Sequence, residues 1–173
     1  TRAVHLIEKW RIFAPVMSTA TNLDYSARTE LLLGQDVLAR LGEVRVLLFG
    51  AGGVGSWCAE GLVRSGVKHL TLVDADVIGV TNVNRQLMAT PHTVGRVKVE
   101  ALRDRLLEIA PDVQITALHK VFSAETAGEF EMEGYDYILD AIDSLKDKGE
   151  LILRATRTPA VFFCSMGAAC KVD

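Results

Sequence analysis

A glycine-rich turn constrains the fold of this chain more than any other feature of the sequence. Residues 50–55 read Gly-Ala-Gly-Gly-Val-Gly, which fits the pattern G-x-G-x-x-G. A nearly continuous apolar run at 44–49 precedes the turn and a helical pattern at 56–65 follows it, which is the context that this pattern requires. Because Gly50, Gly52, Gly53 and Gly55 lack Cβ atoms, backbone N–H groups can approach a phosphate, and the helix N-terminus adds a favourable dipole. The pattern therefore predicts a nucleotide-binding turn between a buried strand and a helix.

Strand and helix patterns alternate along the rest of the chain. Strands are predicted at 44–49, 70–73, 113–118, 135–139 and 160–164, and helices at 25–41, 56–65, 94–109, 124–131 and 145–155. The first helix has an apolar stripe that includes Leu31, Leu32, Leu38 and Leu41. This order predicts an α/β fold, a Rossmann-like and mostly parallel sheet with helices on both faces, preceded by an N-terminal helix.

The chain is expected to form one domain from residue 23 to residue 173. Its 173 residues are enough for a single buried core. Residues 1–22 are expected to be a disordered segment or a remnant of upstream sequence, because the first methionine, Met17, opens a short run of small and polar residues. The last residues follow a strand and a Gly/Ala-rich turn, so we expect the C-terminal part of the domain to be missing.

Composition limits the classes of partner and compartment. The net charge is -3, so the chain as a whole does not attract nucleic acid, and an RNA partner would need a local basic patch. The apolar runs are too short to cross a bilayer. The three cysteines, Cys58, Cys164 and Cys170, form no Cys-x-x-Cys pair, which is typical of reduced thiols in a cytoplasmic protein.

Polar side chains after the second strand favour a triphosphate over a dinucleotide. Asp74 follows that strand about twenty residues past the glycine turn, where a carboxylate accepts ribose hydroxyls. Asn82, Arg85 and Lys98 come next. Arg85 can grip phosphate oxygens with two N–H bonds, and Lys98 can act as a point charge. A nicotinamide oxidoreductase, the alternative that the glycine turn allows, has no need of so much positive charge.

A pair of acids marks the end of the fourth predicted strand. The segment reads Asp140-Ala-Ile-Asp143-Ser144, and parallel sheets bind ligands at the carboxyl ends of their strands. Magnesium typically takes one or two carboxylates plus substrate oxygens. Either acid could cap the helix that starts near residue 145. Of the two, we expect Asp143 to hold Mg²⁺ against the phosphates and Asp140 to be structural.

Taken together, these motifs resemble the ThiF/MoeB/HesA family, which is related to ubiquitin-activating enzymes. The shared features are Gly-x-Gly-Gly-x-Gly, Asp-x-Asp, Asn-x-x-Arg-Gln, a helical lysine and Asp-x-x-Asp, in this order from about residue 25 to the end. The resemblance implies an ATP-dependent adenylating enzyme that transfers AMP onto a carboxylate or carbonyl oxygen of its substrate.

The same resemblance implies a role for each matching residue. The four glycines would line the phosphates, Asp74 would hold the ribose, and Asp143 would bind the metal. Asn82, Arg85 and Lys98 would contact the phosphates. Family members also carry an arginine in the first helix that reaches the partner subunit's site, and Arg28 fits that position, which implies a homodimer with shared sites.

The substrate class remains open between two branches of the family. The sequence resembles most the branch that dehydrates threonylcarbamoyladenosine in tRNA, since Trp57 follows the glycine turn and Ser144 stands where sulfur-carrier activators have asparagine. The alternative is adenylation of the C-terminal glycine of a sulfur-carrier protein for thiamin or molybdopterin synthesis, with a sulfur-transfer protein as a further partner. A catalytically silent subunit of a heterodimer is disfavoured because the Arg, Lys and Asp set is complete.

Overall fold

The computed structural model describes residues 25–166. The predicted N-terminal segment and Cys170 lie outside these residues. The helices and strands, numbered in chain order, are α1 (Ala27–Leu33), α2 (Gln35–Glu43), β1 (Arg45–Phe49), α3 (Gly53–Ser65), β2 (His69–Val73), α4 (Lys98–Ile109), β3 (Gln114–Leu118), β4 (Tyr137–Asp140), α5 (Leu145–Ala155) and β5 (Val161–Cys164).

The five strands form one sheet in the order β3-β2-β1-β4-β5. Every neighbouring pair is parallel. The chain builds outward from β1 to β3, then crosses back to place β4 on the other side of β1. The loops after β1 and β4 therefore meet at a topological switch point, where open parallel sheets bind their ligands. The predicted fold class is confirmed.

Helices cover both faces of the sheet because β1 is apolar on both sides. Val46 and Leu48 pack into the core cluster formed with α3 and α4, whereas Leu47 and Phe49 pack into the cluster that contains Leu151 of α5. All five side chains are at most 2% exposed. Burying each such side chain stabilises the fold by about 1.5–3 kcal/mol, and this double layer holds the end of β1 rigidly in place.

The prediction of one continuous first helix over 25–41 is wrong. Gly34 has φ 83° and ψ 158°, a backbone conformation that ends α1 and starts α2. Leu31 and Leu32 are each 83% exposed, so the α1 half of the expected apolar stripe does not pack into the core. Leu38 and Leu41 on α2, by contrast, are half-buried and lie near Gly66. The helical period was correct, but it could not show that a glycine in its middle adopts a non-helical conformation.

Two other helices are shorter than predicted. Helix α4 begins at Lys98 rather than at 94, because Val97 is extended (φ -61°, ψ 129°) and forms an antiparallel bridge with Val77. The predicted helix at 124–131 is only a 3₁₀ turn over Ala127–Glu129. Among the described residues, no helix is long and apolar enough to cross a membrane.

Candidate nucleotide-binding site

Two glycines of the turn after β1 are required by the backbone geometry. Gly50 has φ 91°, which side chains other than glycine rarely adopt. A Cβ atom on Gly50 would lie 2.6 Å from the carbonyl oxygen of Ala141, and one on Gly55 would overlap the carbonyl oxygen of Gly50. The turn is therefore closed on itself and packed directly against the loop after β4.

The other two glycines leave the mouth of the turn open. Gly52 is the N-cap of α3 and makes no side-chain cap hydrogen bond, and its carbonyl accepts the Ser56 N–H at 3.0 Å. The first N–H groups of α3, beginning at Gly53, therefore have no partner within the helix. Such a helix N-terminus is suited to bind an anion such as a phosphate.

Asp74 ties the glycine turn to the end of β2. Its Oδ2 accepts the Ala51 N–H at 2.7 Å, and its Oδ1 accepts the Asp76 N–H at 2.8 Å. The carboxylate is half-buried and retains lone pairs that can accept further donors. The structure thus gives Asp74 a backbone-supporting role beside the predicted ribose contact, which stays a prediction.

Arg85 lies over the glycine turn. A Cβ atom on Gly53 would lie 3.4 Å from Arg85 Cγ, so the arginine side chain runs across the start of α3. Its Nη1 donates to the carbonyl oxygen of Thr81 at 3.0 Å and to Asn84 Oδ1 at 3.2 Å. Within the described residues it pairs with no carboxylate, so its positive charge is available to an anion held by the turn.

The segment that carries Arg85 is shaped by local hydrogen bonds. Asn82 Oδ1 accepts the Gly79 N–H at 2.9 Å, which closes the 3₁₀ turn over Val80–Asn82. The Trp57 Nε1–H donates to the Arg85 carbonyl oxygen at 3.0 Å, so α3 also holds this segment. Asn82 is thus structural here, and its predicted phosphate contact stays a prediction.

Lys98 is connected to the glycine turn through two aspartates. Its Nζ lies 2.7 Å from Asp76 Oδ2, with the Lys98 side chain 7% exposed and that of Asp76 69% exposed. Asp76 in turn donates its N–H to Asp74, which holds the turn. The first residue of α4 therefore belongs to one continuous polar network with the glycine turn, and Asp76, whose role the sequence left undecided, is the link.

The loop after β4 presents one exposed acid and one buried acid. Asp143 is exposed and forms no hydrogen bond or ion pair with any other described residue. Asp140 is 2% exposed, and its Oδ2 pairs with Lys148 Nζ at 2.7 Å. Ser144, not an aspartate, is the N-cap of α5. The burial of Asp140 agrees with a structural role, while Asp143 is free to bind a cation.

Arg28 does not join this group. It is exposed on α1. Residues of α1 and α2 line a groove together with His69 and Gln114, which lie at the starts of β2 and β3, so the N-terminal helices lie at that end of the sheet. The glycine turn lies at the opposite, carboxyl end of these strands. Within a single chain the structure therefore leaves Arg28 away from the candidate site.

Two buried side chains at the site were not predicted from the sequence. Gln86 is 5% exposed and its Oε1 is the one buried side-chain polar atom without a hydrogen-bond partner in the described part of the chain. A Cβ atom on Gly52 would lie 3.9 Å from Gln86 Nε2, so this orphaned acceptor borders the turn. Lys148 is the second of these side chains. Its spacing from Leu151 and Ala155, which places all three on the inner face of α5, was the sequence pattern that could have indicated its burial.

Cys58 and Cys164, the two described thiols, both lie in surroundings that raise the thiol pKa. Burial raises the pKa of the Cys58 thiol above its usual value. Burial, and then the hydrogen bond to Asp140 and the charge of that carboxylate, raise the pKa of the Cys164 thiol. Because the thiolate is the reactive form, both shifts disfavour nucleophilic reaction of these thiols.

Comparison with known proteins identifies the family of this chain. The model of the ThiF family matches residues 25–171. The chain belongs to the ThiF family. It is 41% identical over 138 residues to a tRNA threonylcarbamoyladenosine dehydratase of Haemophilus influenzae, covering 80% of this chain and 53% of the relative. It is also 41% identical over 147 residues to the Bacillus subtilis protein of the same name, covering 85% and 58%.

The chain also matches a relative with a different name and a solved structure. A molybdopterin-synthase adenylyltransferase of Escherichia coli is 34% identical over 118 residues, covering 68% of this ThiF-family chain and 46% of the relative. The crystal structure of the Escherichia coli tRNA N6-threonylcarbamoyladenosine dehydratase in complex with ATP superposes with a TM-score of 0.81 at 34% identity, covering 85% of this chain and 60% of that one. The chain thus spans little more than half the length of these bacterial dehydratases.

Proposed function

We propose that this chain is the nucleotide-binding part of an ATP-dependent tRNA threonylcarbamoyladenosine dehydratase. The observation that carries the proposal is the meeting of three segments at the switch point: Arg85 lies over Gly53, the loop that bears Asp143 packs against Gly50, and Lys98 joins the same polar network. The likeness to dehydratases, including one solved with ATP, supports ATP as the nucleotide and threonylcarbamoylated tRNA as the substrate.

The free donors of the site match a triphosphate. The open N-terminus of α3 and the Arg85 guanidinium, which pairs with no carboxylate among the described residues and keeps N–H groups beyond those given to Thr81 and Asn84, provide donors for phosphate oxygens, with Lys98 as a second cation. Asp74 would accept a ribose hydroxyl. The orphaned Gln86 Oε1 is an acceptor beside the turn, and a hydroxyl group or water molecule of the bound state would satisfy it. The residues present therefore fit ATP.

The residues also fit a magnesium ion bound together with the phosphates. No group of three metal-ligating side chains occurs among residues 25–166, so the chain offers no all-protein cage there. Asp143 is exposed and unpaired, and Mg²⁺ is usually held by one or two carboxylates plus phosphate oxygens. When bound, the ion would neutralise charge on the phosphates. We assign Asp143 to hold it.

The chemistry follows from positioning and charge neutralisation. A carboxylate oxygen of the substrate attacks the α-phosphorus of ATP, the bond to pyrophosphate breaks, and an acyl adenylate forms. The nucleophile needs no general base because a carboxylate is ionised at neutral pH. An internal amide then attacks the activated carbonyl and loses its proton to water, AMP leaves, and the ring closes. Arg85 and Lys98 stabilise the negative charge that develops on the phosphates.

A homodimer with shared sites is part of the proposal. Arg28 lies away from the glycine turn of its own chain, and Leu31 and Leu32 on the same helix are 83% exposed, as expected of a surface that a second copy covers. We also propose a cytoplasmic location, because three cysteines without a Cys-x-x-Cys pair are typical of reduced thiols. Subunit mixing tests the shared site, because dimers that combine Arg28→Ala with Lys98→Met subunits would contain one intact site.

The expected activity of the mixed sample can be calculated. Random pairing makes about half of the dimers mixed, and each mixed dimer has one intact site out of two, so activity should recover to about one quarter of the wild-type value. Neither variant alone should exceed a few per cent. If the mixture is no more active than the separate variants, Arg28 does not act across the dimer.

The second candidate function is adenylation of a sulfur-carrier protein. The match to the molybdopterin-synthase adenylyltransferase favours it, and a sulfur-transfer protein would then be a further partner. Pyrophosphate release separates the two: we expect release from Mg-ATP with threonylcarbamoylated tRNA and none with a carrier protein that ends in Gly-Gly. The reverse result would select the sulfur-carrier function. Protection against thermal unfolding by NAD but not by ATP would instead revive the oxidoreductase alternative.

A further inference from the structure

A buried ion pair stands directly behind the candidate metal ligand. Lys148 and Asp140 lie 2.7 Å apart, and their side chains are 3% and 0% exposed. Removing both ions from water is costly, and a buried pair is often no more stabilising than apolar residues of the same volume. Neither side chain is needed for any contact assigned to the nucleotide. Stability alone is therefore a weak explanation for this pair.

The partners of the pair connect three elements at the switch point. Lys148 Nζ, on α5, donates to the Ser165 carbonyl oxygen at 2.9 Å, just after β5. Asp140, at the end of β4, accepts the Ile142 N–H on its Oδ1 at 2.9 Å and the Cys164 thiol on its Oδ2 at 2.9 Å. The two carboxylate oxygens thus hold different groups, and the lysine fixes the orientation of the carboxylate.

The hydrogen bond to Ile142 acts on the residue next to Asp143. The same short loop touches the glycine turn, since a Cβ atom on Gly50 would lie 3.1 Å from the Ile142 nitrogen, and one on Gly55 would lie 3.3 Å from Ala141 Cβ. The loop backbone is therefore held from two sides, by the glycine turn and by Asp140. Only the Asp140 side depends on a lysine.

We propose that Lys148 is a positioning residue that, through Asp140 and the Ile142 N–H, fixes the loop after β4 so that Asp143 can hold a divalent cation against the bound phosphates. The inference rests on the proposed function, which assigns Asp143 to that cation. Groups that orient a metal ligand typically change metal affinity or activity by about 10–100-fold when they are removed.

The test separates metal-dependent from metal-free ATP binding. Calorimetric titrations with ATP, in excess Mg²⁺ and in EDTA, give the factor by which Mg²⁺ tightens binding. In the variant Asp140→Asn/Lys148→Met, which keeps the volumes and buries no charge, we expect that factor to fall at least about tenfold. Binding in EDTA should stay within about twofold of wild type, because the glycine turn and Arg85 are intact.

A second variant and a control sharpen the result. Asp140→Leu/Lys148→Met also removes the acceptor of the Ile142 N–H, so it should lose at least as much of the magnesium factor. Apolar replacement of a buried ion pair is usually tolerated by the fold. Lys146→Met, an exposed lysine on the same helix, should behave as wild type.

Each outcome decides the question. An unchanged magnesium factor in a folded double variant would overturn the proposal. Equal losses of ATP binding with and without Mg²⁺, or failure of both double variants to show cooperative thermal unfolding, would show that the pair is merely structural. If the wild-type protein itself binds no ATP in Mg²⁺, the proposed function fails. That result differs from normal ATP binding by the wild type together with an unchanged magnesium factor in the variants, which would overturn only the positioning role of Lys148.

Discussion

Replacing Lys98 with methionine should separate charge from packing at the nucleotide site. Methionine keeps most of the apolar length of lysine but removes the ammonium group, which lies 2.7 Å from Asp76 Oδ2 and is almost fully buried. If Lys98 contacts the phosphates, its loss should abolish turnover. If it only pairs with Asp76, turnover should continue.

The structure gives the expected size of both effects. Asp76 is 69% exposed, so water can solvate its carboxylate when the lysine is gone, and a half-exposed pair contributes about 0–1 kcal/mol to stability. Removing one preorganised donor to transition-state charge costs about 10²–10³ in kcat, or about 3–4 kcal/mol in activation free energy. The catalytic loss should therefore far exceed the change in the free energy of unfolding.

The assay is pyrophosphate release under saturating Mg-ATP, together with urea unfolding of the same samples. Lys68→Met is the matched control, because Lys68 also pairs with an aspartate, Asp112, at 2.6 Å, in a pair whose side chains are about half exposed. It should keep wild-type turnover. Turnover of Lys98→Met within about threefold of wild type would remove Lys98 from the catalytic set.

Three further predictions follow from single contacts. Gly55→Ala should lose ATP binding in calorimetry, because the added Cβ would overlap the Gly50 carbonyl oxygen; retained binding would mean that the turn relaxes easily. Leu151→Ala, at a site that is 0% exposed, should lower the free energy of urea unfolding by about 2–5 kcal/mol; a loss below about 1 kcal/mol would contradict the packing. The hydrogen bond from Lys68 lowers the pKa of Asp112, so the stability this pair adds is present above the unfolded pKa of about 3.9 and is lost as pH falls through the lower folded pKa. The difference in stability between wild type and Lys68→Met should therefore vanish in acid, and a difference that persists would refute the linkage.

The fold was predictable where local pattern and global architecture agree. The run at 44–49 is apolar on both sides of the strand, and only a sheet covered on both faces can bury such a strand. The glycine turn then has to follow at the carboxyl end of that strand. Gly66, with φ 111° at the C-cap of α3, ends that helix as a glycine does in a left-handed cap. These elements needed no long-range information.

The boundaries that failed depend on contacts between distant residues. Val97 belongs by period to the helix that follows, yet its bridge to Val77 keeps it extended and moves the first turn of α4 to Lys98. This shift matters for the site, because it places Lys98 where its own N–H can donate to the Asp76 carbonyl oxygen at 3.0 Å. A pattern along the chain could not contain that pairing.

Asp140 is buried and Asp143 is exposed, and this difference shows what residue spacing can and cannot determine. Both acids follow the same strand, and the sequence alone could rank them only by their distance from it. What decides the burial of Asp140 is a cation on the next helix, since a buried carboxylate without a partner would be strongly destabilising. Lys148 occupies the position three residues before Leu151, on the face of α5 that packs against the sheet. A lysine at an apolar position of an amphipathic helix, following a strand that ends in an acid, is therefore a usable signal for such a pair in related sequences.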